Sequence, residues 1–304
     1  MPKANIGLLS IALAATTWGS IGVAVAVLYG LTPTTPLSVS FWRLALSAPV
    51  LLLLSRYFAG PNFWRVAAGD RVPLLVMGAA FAAYQVCYFA AIPHIGVAAA
   101  VLVNICSAPI FAAVLSGLFL RERLTWVVGL ALVGAVTGAV LLVGQSPEAA
   151  TPNALVLGGV LALGAGLSYA LVALTARMVA PRYHPIQPVT WAVTLSALLL
   201  LPVALGAGLD VGYPPAGWGI LLYLGVVPTA VGYGLYVFGL RTVTATVSTI
   251  FALLEPLIST VLAVTVLHER LSPGGLWGGA LLLGSVAFLY FKQAEGTKAA
   301  PPSA

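Results

Sequence analysis

Two ionisable side chains stand in apolar surroundings: Glu255, within Leu254-Glu255-Pro256-Leu257, and Arg43, within Phe41-Trp42-Arg43-Leu44. A charge midway along a bilayer-length apolar segment costs at least about 2.5 to 3.5 kcal/mol, which makes each a candidate for work on a solute or an ion. A carboxylate at that depth can bind an ammonium group or take up and release a proton. Pro256 lacks a backbone donor and frees a carbonyl one turn back, so a neutral Glu255 that steadies a kink is the structural alternative. Arg43 can bind a carboxylate, bridge two helices, or snorkel its head to an interface roughly two turns away.

Around these lie aromatic and small polar groups deep in other apolar stretches. Tyr84 and Tyr88 are four residues apart and share one face of a helix. Trp18 (with Thr17), Asn104, Tyr169 (with Ser168), Tyr233, Tyr236, Ser248 and Phe251 complete the set, each open to solute contact or to plain packing. Trp126, Trp218 and Trp277 lie near the ends of apolar stretches and fit interfacial anchors. His94, beside Pro93, reads as a turn residue. Cys87 and Cys106 sit inside apolar segments with no metal-ligand or redox spacing, so both read as small packed side chains. No metal and no cofactor is expected.

The elements that must hold these residues follow from composition. Charged residues are 7% and hydrophobic residues 61% of the 304, against about 25% and 45 to 50% in soluble domains. Apolar runs long enough for a hydrocarbon core about 30 Å thick recur along the chain. Breaks rich in Pro, Gly and charge give ten expected spans: 6–28, 37–55, 72–92, 95–119, 124–144, 154–178, 186–207, 217–239, 243–267 and 273–291. With the N-terminus inside, Lys3, Arg56, Arg65, Arg71, Arg121, Arg123, Arg177, Arg182, Arg241, Lys292 and Lys298 all fall on the cytoplasmic side. Only Arg270 falls outside, and Arg43 is in a span, as the positive-inside rule requires. The net charge of +6 therefore reads as orientation, with both termini cytoplasmic in an inner (plasma) membrane and no nucleic-acid partner. Lys3 and Ala24-Val25-Ala26 mimic a signal peptide, but the run from Ile6 to Leu28 exceeds a signal core of 7 to 15 residues.

The spans repeat. Ala98 to Leu124 aligns with Ala245 to Leu271 at an offset of 147, pairing Pro109 with Pro256 and Glu122-Arg123-Leu124 with Glu269-Arg270-Leu271. Span 4 thus falls on span 9 and span 5 on span 10. Five helices per half is an odd number, so the halves, 1–147 and 148–292, must be inverted, with 293–304 a disordered cytoplasmic tail. Inverted repeats place a solute site near the midplane and move by alternating access. Removing the first span as a signal peptide would leave nine and break the pairing. Gly134 and Gly138 on span 5, with Gly274, Gly275, Gly278 and Gly279 on span 10, form small-xxx-small seams, expected within one chain rather than between two.

Gly239-Leu240-Arg241-Thr242, Leu254-Glu255-Pro256-Leu257 and Leu267-His268-Glu269-Arg270-Leu271, followed by a Gly-rich last helix, resemble the drug/metabolite transporter superfamily with paired EamA-type domains. Phe41-Trp42-Arg43-Leu44 and the first-half Pro109 and Arg121-Glu122-Arg123 are similar to that family as well. The overall pattern is most like the YddG-type amino-acid exporters. The resemblance implies an all-α, ten-helix basket with spans 1, 3, 4, 6, 8 and 9 around a central cavity and spans 5 and 10 at the periphery.

One cation and one carboxylate among aromatic residues suit export of a small amphipathic solute, foremost amino acids with apolar or aromatic side chains. Efflux of drugs or other small solutes is the alternative. A phosphorylated cargo would need several cations. A channel would show rings of repeated polar groups. An enzyme would need a catalytic cluster, and an ATP-driven pump a P-loop, neither of which is encoded. Besides the solute, the expected partner is the bilayer, with the chain a monomer or weak dimer.

Overall fold

Helix boundaries here are set by local chemistry that the apolar background makes easy to see. Thr35 caps the second helix by accepting the Ser38 N–H at 3.2 Å, and Pro36 fills the first helical position, where its missing donor is harmless. That helix stops at Ala59, followed by Gly60 with φ of +84°. Thr244 caps a later helix in the same way. The computed structural model describes residues 3–122, 125–143, 152–266 and 273–299, and all regular structure among them is helical.

In chain order the helices are α1 (Lys3–Leu31), α2 (Pro36–Phe58), α3 (Arg71–Phe119), α4 (Trp126–Val143), α5 (Pro152–Val179), α6 (Ile186–Gly206), α7 (Pro215–Leu224), a π-helical segment (Gly225–Val231), α8 (Gly232–Gly239), α9 (Ala245–Ala252), α10 (Leu254–Val266) and α11 (Pro273–Ala299). Seven helical stretches are long and apolar enough to cross a membrane, and three shorter apolar ones lie at 103–119, 126–141 and 276–292. The surface agrees: Leu53, Leu118, Trp126 and Trp277 are each more than 70% exposed, which suits hydrocarbon and not water. Trp218 is less exposed, its ring packing on Trp42 at 4.9 Å and on Tyr213 at 5.2 Å.

Expected spans 3 and 4 form one continuous helical element, α3, which at 49 residues would run about 73 Å if straight. It folds back instead. Gly164 of α5 faces Cys87 while Gly166, two residues on, faces Asn104 and Ser107, so both limbs of α3 lie against one short stretch of α5. His94 sits in the fold-back. α11 continues as helix through 293–299, residues expected in the tail; 300–304, the 147/148 boundary, Arg123 and the His268–Leu271 copy of the repeat lie outside the described residues.

Close packing follows small residues. α1 crosses α8 where Gly7 meets Gly239, and crosses α10 where Gly19 lies on Ile258. α4 and α11 meet at Gly138, whose missing Cβ makes room for the Gly278 carbonyl and Leu282. This seam lies within one chain. α2 packs on α6 and on the π segment, and α3 packs on α5 and α6.

Candidate functional site

The site begins with a proline that a helix has to accommodate. Pro228 has no N–H, which would leave the Leu224 carbonyl one turn back without a donor. The Thr229 hydroxyl donates to that carbonyl at 2.8 Å, and the backbone widens into the π segment. The Pro228 carbonyl in turn accepts the indole N–H of Trp18 at 2.8 Å. Gly232 makes this approach feasible, because a Cβ there would lie 2.6 Å from Thr17 Oγ1 and 2.8 Å from Trp18 Nε1.

Trp18, 3% exposed, anchors a run of touching rings. Phe81 meets Tyr233 at 4.8 Å, Tyr233 meets Trp18 at 4.9 Å, and Trp18 meets Tyr169 edge-on at 6.5 Å. Tyr169 meets Tyr84 at 6.0 Å, and Tyr84 stacks on Tyr88 at 6.1 Å. These separations lie within the range at which aromatic pairs add to their burial.

Five of these rings, all but Phe81, face a cavity of about 520 Å³, the size of a small-molecule site. Its wall also holds Arg43, Asn104 and Glu255. Eight of the eleven residues singled out in the sequence are therefore together: Trp18, Arg43, Tyr84, Tyr88, Asn104, Tyr169, Tyr233 and Glu255. Tyr236, Ser248 and Phe251 do not reach the cavity. The Tyr236 hydroxyl bonds Ser248 Oγ at 2.9 Å, both residues are fully buried, and Phe251 packs in the core. Thr249, Ala252 and Leu253 take the cavity face of α9, and spacings of three and four put 248 and 251 on another face.

Glu255 lies just beyond a break. α9 ends at Ala252, Leu253 turns back to the Ile250 carbonyl at 3.1 Å, and α10 restarts at Leu254. Its carboxylate is in the first turn of α10, where exposed N–H groups favour negative charge. Arg43 and Glu255 share the wall without an ion pair: among the described residues the pairs within 4.0 Å are Arg177–Glu122 and Arg182–Asp70. Arg43 Nε is buried with no hydrogen-bond partner, as are Asn104 Oδ1 and Gln85 Nε2.

Gln85, 1% exposed, is a wall residue that the sequence reading did not single out, as are Ser40 and Ser259. A lone amide beside Tyr84 was the available signal. α2 also joins the wall through Pro36, Val39, Ser40 and Arg43, a contribution beyond the six cavity helices that the resemblance implied. At the far end of α1 the cavity reaches the surface, where Tyr29 lines it and is 43% exposed.

The two halves of the sequence each match one family model. The EamA-like transporter family is matched at residues 5–144 and again at 156–291. The chain belongs to the EamA-like transporter family. Among curated relatives of this EamA-like chain, the uncharacterized transporter YwfM of Bacillus subtilis (strain 168) is 32% identical over 288 residues, covering 92% of both chains. A probable terminal-alkyne amino-acid exporter of Streptantibioticus cattleyicolor is 27% identical over 285 residues, again 92% of both. The pseudopaline exporter CntI of Pseudomonas aeruginosa is 33% identical over 190 residues, 62% of each chain. A solved crystal structure superimposes with a TM-score of 0.77 over 94% of this chain and 96% of that one, at 19% identity, which speaks to the fold alone.

Proposed function

We propose that this transporter exports small amphipathic metabolites, foremost amino acids with apolar or aromatic side chains, across the inner membrane by alternating access. One observation carries the reading: Arg43 and Glu255 face one aromatic cavity without pairing to each other. An α-amino acid brings the complements, a carboxylate for the guanidinium and an ammonium for the carboxylate, while the rings take its side chain. The naming of one relative as a probable amino-acid exporter is in keeping with this.

Alternating access rests on ten spans in two inverted halves. Two family matches, one per half, support it. So does the packing. Exchange the halves, letting α1 stand for α5, α2 for α6, the limbs of α3 for α7–α8 and α9–α10, and α4 for α11. The contact of α1 with α10 then becomes that of α5 with the second limb of α3, and α1 with α8 becomes α5 with the first limb. The contact of α2 with the π segment becomes that of α6 with the first limb, and α2–α6 and α4–α11 map onto themselves. Cytoplasmic termini are supported by the gathering of Arg56, Arg65, Arg71, Arg121, Arg177, Arg182 and Arg241 at the end of the bundle opposite Tyr29. In that orientation the cavity is open to the outside.

Counterflow of labelled amino acids into proteoliposomes tests the reading. Saturable exchange of apolar or aromatic amino acids is expected, reduced in both Glu255→Gln and Arg43→Gln. Absence of exchange with every amino acid, alongside saturable movement of an apolar cation, would replace it with efflux of drugs.

A further inference from the structure

Opposite the cavity mouth, the ends of α5 and α8 hold each other by a reciprocal arrangement. Arg177, in the last turn of α5, donates from its guanidinium to the Leu240 carbonyl just past α8. Arg241, in the next position, donates from Nε to the Ala180 carbonyl just past α5 at 3.1 Å and from a second nitrogen to the Tyr183 carbonyl. Carbonyls at helix ends have no partner within their own helix and carry partial negative charge, so two guanidinium groups suit them. A third party secures the junction. Glu122 lies 3.6 Å from Arg177. It is placed there by a turn in which the Glu122 N–H returns to the Ser116 carbonyl and Arg121 takes a φ of +54°, a left-handed position that ordinarily goes to glycine.

The clasp is tied to the cavity by spacing. Tyr169 is eight residues before Arg177, and Tyr233 is eight residues before Arg241. The first interval is about 12 Å along α5, and the second runs along α8 to its end at Gly239 and into the turn that follows. Both tyrosines line the cavity, and both touch Trp18. A solute that parts or draws together Tyr169 and Tyr233 therefore acts on two levers, each ending in one arginine of the clasp. Between the two levels lies a closed plug in which Tyr236 and Ser248 are fully buried and bonded to each other.

From this geometry we propose that the Arg177–Arg241 clasp, braced by Glu122, is the gate that shuts the cavity from the arginine-rich side, and that it opens and closes once in each transport cycle. The proposal rests on the transporter reading but not on the identity of the cargo. In the present conformation the gate is shut and the opposite mouth is open. The inward-facing state must break the crossed arginine–carbonyl bonds, because they join the two helices that would have to separate.

The test places a single cysteine at Ser248 in a background lacking Cys87 and Cys106, and reads labelling by a membrane-impermeant maleimide from the arginine-rich face of oriented vesicles. Labelling is expected to be slow with the native arginines and to rise several-fold in both Arg177→Gln and Arg241→Gln, with no solute present. Arg241→Lys, which keeps charge but loses the two-pronged donation, should fall between. Where amino acids are exchanged, the Gln variants should change the maximal rate more than KM. Well-folded Gln variants that label at the parental rate would overturn the proposal. A rise in labelling with no exchange of any amino acid would leave the gate standing and remove the amino-acid reading instead.

Discussion

Glu255 and Arg43 both carry the penalty of charge within apolar surroundings, and neither is offset by an ion pair with the other. Glu255→Gln keeps the shape and removes the ionisable proton, so the protein should still insert, while transport against pH should flatten relative to the parent. Initial rates in proteoliposomes across the neutral range check this, and a variant that keeps the parental rates and pH profile would assign Glu255 to the helix break alone. A charge-assisted hydrogen bond is worth about 1.5 to 3 kcal/mol. Arg43→Gln should accordingly raise KM for a zwitterion by about ten- to a hundredfold while sparing the corresponding amino-acid amide. Equal effects on both solutes would mean that Arg43 bridges helices and does not hold a carboxylate. These two residues, and the tyrosines around them, were legible in the sequence because polarity within an apolar run is conspicuous. Gln85 was equally visible in kind, but a lone amide carries no charge penalty to draw attention to it.

At the level of elements, the chain reveals where helices break more readily than how they are phased. Pro256 signalled a discontinuity, yet only the break at Leu253 fixes which face of α9 turns to the cavity, and that is why Ser248 and Phe251 pack away from it while Thr249 lines it. The fold-back of α3 runs together two spans that hydropathy kept apart, because its limbs follow one another with no non-helical residue between them. Pro228 and Gly232 show the opposite case, ordinary residues whose purpose appears only when α1 is laid against them. Gly232→Ala would press a methyl group against Thr17 and Trp18, so it should destabilise the protein by about 1 to 3 kcal/mol, seen as a lower midpoint in thermal melts in detergent. An unchanged midpoint would show that α1 gives way freely there. The linkage between the α1–α2 turn and the segment between α6 and α7 adds a pH term. The Asp210 carboxylate accepts the Thr35 N–H at 2.9 Å and the Thr34 hydroxyl at 3.0 Å, and these donors, the Thr35 amide foremost, hold it below the usual carboxylate range. A depressed native pKa contributes stability above the unfolded value of about 3.9 and loses it as pH falls through the native one. Melting midpoints of the parent and Asp210→Asn should therefore differ at pH 6 and converge toward pH 3. A constant gap across that interval would show that protonation of Asp210 has no part in this contact.

For the whole molecule, what the sequence carried was symmetry, and what it could not carry was state. An offset of 147 between matching triplets, together with the odd number of helices expected per half, is what leads to the proposal of inverted halves, and the packing of α1 on α10 and of α5 on α3 is in keeping with that proposal. Which mouth is open depends on small differences between two packings of the same helices, and nothing in residue order encodes that choice. Orientation links the two. The cationic end carries the clasp and the anionic loop carries Asp210, so the positive-inside rule places Asn62, in the turn after α2, on the cytoplasmic side and Ala207, at the end of α6, outside. Single cysteines at these two exposed positions, in a protein without Cys87 and Cys106, should divide cleanly in intact cells. A membrane-impermeant maleimide should label Ala207→Cys at once and Asn62→Cys only after the membrane is broken. Labelling of both from outside would mean that α3 through α6 do not cross in the sense required here. The reverse pattern would keep the fold and turn the open mouth toward the cytoplasm, so that a carrier in this conformation would be receiving its cargo and not releasing it.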